Sequence, residues 1–161
     1  MYLRAAARTF RLHNHTHGSH LTLRWLRRTQ QVASSEVVGR ARGDKKFAVT
    51  CYDPDAPTGS GFWHWLLVNI PANVSEFAEG AGSTGGKLPA GALQTRTDFG
   101  VPGYGGPCPP EGDHPHRYLF TVFAVKTDKL DVKADTSAAV VGFNLHFNTL
   151  ARAEIMGLFK R

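Results

Sequence analysis

Cysteine is scarce in this chain of 161 residues, which holds only Cys51 and Cys108. Two thiols make no disulfide framework, and their spacing fits no zinc finger, so both are read as reduced. Reduced thiols suit a cytoplasmic location. Long apolar runs are missing as well. The longest candidate, Trp65 to Ile70, has the length of a strand and falls far short of a membrane span. Acid is scarce at the start: residues 1–46 carry ten Lys/Arg against Glu36 and Asp44 alone, a balance of +8. Residues 47–161 carry nine basic against eleven acidic residues, a balance of −2. The overall +6 is therefore a property of the leader. The remainder lacks the basic face with interleaved aromatics that nucleic-acid recognition needs, and no nucleic-acid partner is expected.

What is present fits one globular domain, with 42% hydrophobic and 20% charged residues. Its centre is Cys51-Tyr52-Asp53-Pro54-Asp55-Ala56-Pro57, followed by His64 inside the apolar run Phe62 to Ile70. Pro54 and Pro57 fix φ and remove donors, so they end the preceding strand and stiffen a turn that carries two carboxylates. Two rigid acids beside an imidazole suggest a small polar pocket, and X-Pro geometry suggests that Ala56-Pro57 is cis. The plainer reading is a surface loop followed by a core histidine that has found a hydrogen-bond partner. A second stretch, Gly103 to Tyr118, contains Gly105-Gly106-Pro107-Cys108-Pro109-Pro110 and then His114-Pro115-His116-Arg117-Tyr118. This ordered loop delivers His116 and Tyr118 to the start of the strand Leu119 to Val125.

Asp-Pro-Asp-Ala-Pro with a downstream Trp-His, then Gly-Pro-x-Pro-Pro and His-Arg-Tyr-x-Phe, resembles the two signature regions of the phosphatidylethanolamine-binding protein family. The spacing is most similar to its bacterial and archaeal Raf-kinase-inhibitor-like branch. The resemblance covers residues 45–161. It implies a mainly β, two-sheet antiparallel fold with a few peripheral helices. It also implies a cavity bordered by Asp53, Asp55, His64, Gly106, Cys108, Pro110, His116 and Tyr118 that binds a small anion, such as the phosphate group of a ligand. Amides around Gly105, Gly106 and Cys108 would form a nest for negative charge, with an Asp behind a histidine to orient it. The resemblance points to a phosphorylated or kinase-type protein partner and allows a homodimer. No cofactor, metal or catalytic residue is expected. The alternative is a hydrolase or metal-dependent enzyme using Asp53, His64 and His116. Two His and one Asp match a facial-triad inventory, but an inventory is not a geometry. Cys108 or Ser60 as nucleophile has no supporting motif.

Residues 1–44 are read apart from the domain at 45–161, as an atypical basic leader with little regular structure. An Arg-rich, acid-poor start fits a transit-like leader, and His13, His15, His17 and His20 fit a metal-binding tract. A frame-shifted or misassigned gene start, replacing the opening usual in the resembled family, accounts best for the abrupt change. Beyond it, strands are expected at Phe47–Tyr52, Phe62–Ile70, 117–125 and Ala153–Phe159. A helical turn is expected at Asn73–Phe77 and a helix at Thr136–Leu150. That helix would be capped by Thr136 or Asp135 and carry Val140, Val141, Leu145, Phe147 and Leu150 on its apolar side, with His146 in a packing or capping role. Asp98-Phe99-Gly100 imitates the kinase magnesium motif, but the other kinase elements are missing.

Overall fold

The computed structural model describes Thr9–Arg11 and residues 46–161, apart from positions 75, 79 and 84. Among these, the chain is mainly antiparallel β with one helix. The strands are β1 (Thr9–Arg11), β2 (Lys46–Asp53), β3 (Phe62–Pro71), β4 (Leu93–Gln94), β5 (His116–Val125) and β6 (Thr149–Phe159), and the helix is α1 (Ala138–Asn148). Where two sheets were expected, the described strands join edge to edge in one, in the order β1-β6-β5-β2-β3-β4. Only β1 runs parallel to its neighbour, pairing Thr9 with Met156 and Arg11 with Leu158. Most of the leader lies outside the described residues.

β2 and β5 are central because both of their faces are apolar. Phe47, Val49 and Cys51 alternate with Ala48, so one strand feeds two cores. On the first face they meet Tyr118, Phe120, Val122 and Ala124 of β5 with Trp65 and Leu67 of β3. On the second, Ala48, Leu66, Val68 and Val125 receive Ala138, Val141 and Leu145 of α1. Each fully covered Val or Leu side chain among them contributes about 1.5–3 kcal/mol.

The expected helix is shorter and turned differently. Its apolar side is Ala138, Val141 and Leu145, while Val140, Phe143, Phe147 and Leu150 are exposed. It starts after Ser137 with no side-chain cap, because the Thr136 hydroxyl accepts the Lys133 N–H instead. Thr149 ends it by donating its hydroxyl to Leu145 O, and β6 starts there, four residues before its expected beginning. His146 is exposed in the last helical turn, where a basic group suits the helix dipole. Ala72 and Asn73 form a turn after β3, where a short helix was expected.

Two one-residue slips in the β2–β3 pairing matter most. Phe47 faces Ile70 but Val49 faces Leu67; Cys51 faces Trp65 but Tyr52 faces Trp63. Each inserts an extra β3 residue, Asn69 and His64 respectively. Asn69 takes a φ of 58°, and its amide clasps both backbone groups of Leu130, which ties the segment before α1 to the sheet. The second slip builds the site.

Candidate functional site

The Asp-Pro turn closes through its own carboxylate. Asp53 Oδ1 accepts the N–H groups of Asp55 at 2.9 Å and Ala56 at 3.1 Å. This Asx arrangement reverses the chain within three residues. No described peptide bond is cis, so the expected cis Ala56-Pro57 is corrected. The carboxylate itself makes the turn, and no isomer is needed. Asp53 is 2% exposed. Its second oxygen, Oδ2, points to the first face of the sheet and meets both signature histidines.

Strict alternation would send Trp65 and His64 to opposite faces. The slip between Cys51 and Tyr52 brings His64 to the Asp53 face, as bulges re-aim side chains elsewhere. Its ring then packs against Phe62 (5.0 Å between centroids), Phe99 (5.3 Å) and Tyr118 (5.1 Å). Nδ1 lies 2.7 Å from Gly106 O, and a carbonyl only accepts, so Nδ1 carries hydrogen. Nε2 is buried without a hydrogen-bond partner among the described residues, 3.9 Å from Asp53 Oδ2. Burial pushes the His64 pKa down, against the raising influence of the Gly106 carbonyl and the charges of Asp53 and Asp98. In its neutral form, which burial favours, the ring keeps a bare Nε2 lone pair, buried and unpaired among the described residues.

His116 opens β5 and is fully buried. Its Nδ1 lies 2.8 Å from Asp53 Oδ2 and its Nε2 3.3 Å from Asp113 Oδ2. Burial alone would lower this pKa, but hydrogen bonds and charge from both carboxylates raise it overall. Carboxylates only accept, so the protonated ring can donate from both nitrogens, and the raised pKa favours that form.

The other expected site residues take different posts. Tyr118 is fully buried; its phenol accepts the Cys108 N–H at 3.2 Å, and burial with the Asp53 charge raises its pKa. Gly106, with φ of 72°, turns its carbonyl to His64. The amide nest is corrected at two of its three positions. The Gly105 N–H is spent on His64 O at 3.1 Å, and the Cys108 N–H on Tyr118. Cys108 itself is exposed, with Arg161 beside its sulfur at 3.4 Å. Pro110 is exposed, and its carbonyl accepts the Asp113 N–H at 3.3 Å. Asp55 supports no histidine. Its carboxylate takes the Arg117 backbone N–H at 2.8 Å and grips the guanidinium, which lowers the Asp55 pKa.

Four neighbours were not anticipated from the sequence. Asp113 faces His116, Phe62 and Phe99 wall His64, and Asp98 accepts the Trp63 N–H at 2.8 Å beside the slip. Phe99 also explains Gly105, because a Cβ there would collide with the Phe99 ring. The triplet that imitates a kinase motif thus packs its Phe99 ring on His64. An aromatic in a Gly-rich, polar stretch was the one available signal.

A family model described as phosphatidylethanolamine-binding protein matches residues 14–160. The chain belongs to the phosphatidylethanolamine-binding protein family. Its match begins inside the stretch read as a leader. Within the family, the chain is 54% identical over 123 residues to YbcL of Escherichia coli K12, covering 76% of this chain and 67% of that protein. It is 55% identical over 117 residues to YbhB of the same organism, covering 73% of each. The crystal structure of E. coli YbcL, described as a new member of the mammalian PEBP family, superposes with a TM-score of 0.70 at 52% identity, over 76% of each chain. Among the described residues no helix is long and apolar enough to cross a membrane.

Proposed function

We propose that the chain binds a small anion, the phosphate group of a larger ligand or of a phosphorylated partner, without transforming it. The observation that carries this reading is His64 Nε2. It is a buried nitrogen with no partner among the described residues, set 3.9 Å from a carboxylate oxygen and walled by three aromatic rings. Leaving such a group unpaired costs about 1–3 kcal/mol, which a suitable ligand would recover. Two acceptors facing one another call for a proton between them. A phosphate monoester supplies one as its P–OH, or binds as His64 takes up a proton and becomes a charge-assisted donor. The family's description as phosphatidylethanolamine-binding supports a phosphate-bearing headgroup as the ligand class.

The hydrolase alternative finds little support. Neither histidine pairs with a hydroxyl or thiol among the described residues; their partners are Gly106 O, Asp53 and Asp113. Calorimetric titration with O-phosphoethanolamine and phenyl phosphate tests the reading. Wild type is expected to bind, more tightly as pH falls through the histidine range, and His64→Ala to weaken binding at least about tenfold, or 1.4 kcal/mol. Equal affinity in a folded His64→Ala variant, or release of inorganic phosphate by the wild type, overturns it.

A further inference from the structure

Beside Asp53, the loop leading into β5 gathers Asp113, His114 and His116, whose ligating atoms all lie within 4.8 Å of one another. We propose that these three residues form a divalent transition-metal site, with the Asp113 carboxylate, His114 Nδ1 and His116 Nε2 as ligands. This goes beyond the anion reading and does not depend on it.

The spacing suits such a cation. His114 Nδ1 lies 2.7 Å from Asp113 Oδ1 and His116 Nε2 lies 3.3 Å from Asp113 Oδ2. A tetrahedral ion with bonds of roughly 2.0–2.2 Å holds its ligand atoms roughly 3.3–3.6 Å apart, close to the His116–Asp113 separation and wider than the His114–Asp113 one. Closing the site takes small side-chain adjustments and releases to solvent any proton carried by His114 Nδ1 or His116 Nε2. The ion takes the place of the hydrogen between each nitrogen and Asp113, so the affinity rises with pH.

The second observation lies outside the cluster. Ligating histidines hold their far nitrogen to a carboxylate or carbonyl, which orients the ring and raises its basicity. His116 has this support: Nδ1 meets the buried Asp53 Oδ2 at 2.8 Å, so Nε2 faces Asp113 and His114. The backbone is also restrained. Gly112 has a φ of 82° just before Asp113, and Pro115 fixes φ between the two histidines.

Access comes from the solvent side, because the His114 side chain is 62% exposed and that of Asp113 31%. Two imidazoles and one carboxylate favour zinc, cobalt, nickel or copper over magnesium and calcium. Three protein ligands leave a coordination position for water or an anion.

The full chain, stripped with EDTA and dialysed, is titrated with Zn2+ by calorimetry and with Co2+ by visible absorption. The parallel chain carries His13, His15, His17 and His20→Ala, which removes the amino-terminal histidine tract as a competing binder. One equivalent is expected in both chains, with a Co2+ spectrum of low coordination number. His114→Ala, at an exposed position, is expected to weaken Zn2+ at least about tenfold and abolish that spectrum, and Asp113→Asn to weaken it similarly. O-phosphoethanolamine binding by His114→Ala is expected to stay intact, and Zn2+ binding by His64→Ala likewise. Absence of binding, binding that disappears with the tract, or binding indifferent to His114→Ala and Asp113→Asn overturns the site.

Discussion

The slip in β3 and the start of β5 place the same residue type, equally buried, against the same carboxylate oxygen, and they produce opposite electrostatics. His64 is 2% exposed and His116 fully buried. Asp53 Oδ2 lies 3.9 Å from one ring and 2.8 Å from the other. His64 has its pKa lowered and His116 has it raised. Burial opposes charge on both rings, and only at His116 do the partners outweigh it. His116 is clamped between Asp53 and Asp113, whereas His64 is tied to a neutral carbonyl and keeps its other nitrogen unspent. Proximity to a carboxylate makes an imidazolium only where hydrogen-bond geometry completes the pair.

The largest effect is expected from removing the shared carboxylate. Asp53→Ala strips His116 of its buried counter-charge and the turn of its acceptor, and is expected to destabilise the fold by about 3–5 kcal/mol in urea unfolding. A loss under about 1 kcal/mol would mean that His116 is neutral, and the contrast between the rings would collapse.

Next in size is a change in protonation. At pH near 6.5, nitrogen NMR is expected to show His116 doubly protonated and His64 as the Nδ1–H tautomer. Asp113→Asn is expected to bring the His116 pKa down while leaving His64 in place, which would separate the second carboxylate from the first.

Stability against pH sharpens the contrast further. The stability supplied by His116, whose folded pKa is raised, is fully present below its unfolded value near 6.5 and is lost as pH rises through the folded value. His64, with a depressed folded pKa, makes the fold lose stability as pH falls below about 6.5. In wild type these trends oppose. In His64→Ala the acid-side loss should shrink, leaving the decline toward higher pH, as measured by melting temperature across pH 5–8.

The smallest effect belongs to the second acid of the turn. Asp55 pairs with Arg117, whose side chain is 51% exposed, so Arg117→Ala is expected to cost about 0.2–1 kcal/mol and to weaken in its effect as salt rises. A cost as large as that of Asp53→Ala would erase the distinction between the two acids of the turn.

Much of this was legible before any coordinates. Short apolar runs bounded by turn residues marked β2 and β5, the two prolines marked the turn, and the apolar run Phe62 to Ile70 marked β3. Helix α1 was legible only in outline, because Val140, Phe143 and Phe147 are apolar at helical spacing yet exposed. Local pattern shows that a stripe exists but not which stripe the sheet covers. Leu145 and Val141 were chosen by the residues they meet, Leu66 and Val68 among them.

What the sequence determined by itself was the chemistry on offer: carboxylates in a rigid turn, a histidine in an apolar strand, and a histidine and tyrosine at the end of a Gly/Pro loop. Those are properties of neighbours in the chain. Tertiary structure alone decided that Asp53 and not Asp55 would serve the histidines, that Asp113 would clamp His116, and that Phe99 would wall His64. It also decided the face of His64. Alternation along β3 is local, but an extra residue exists only relative to a pairing strand, so β2 sets the slip and with it the direction of the ring.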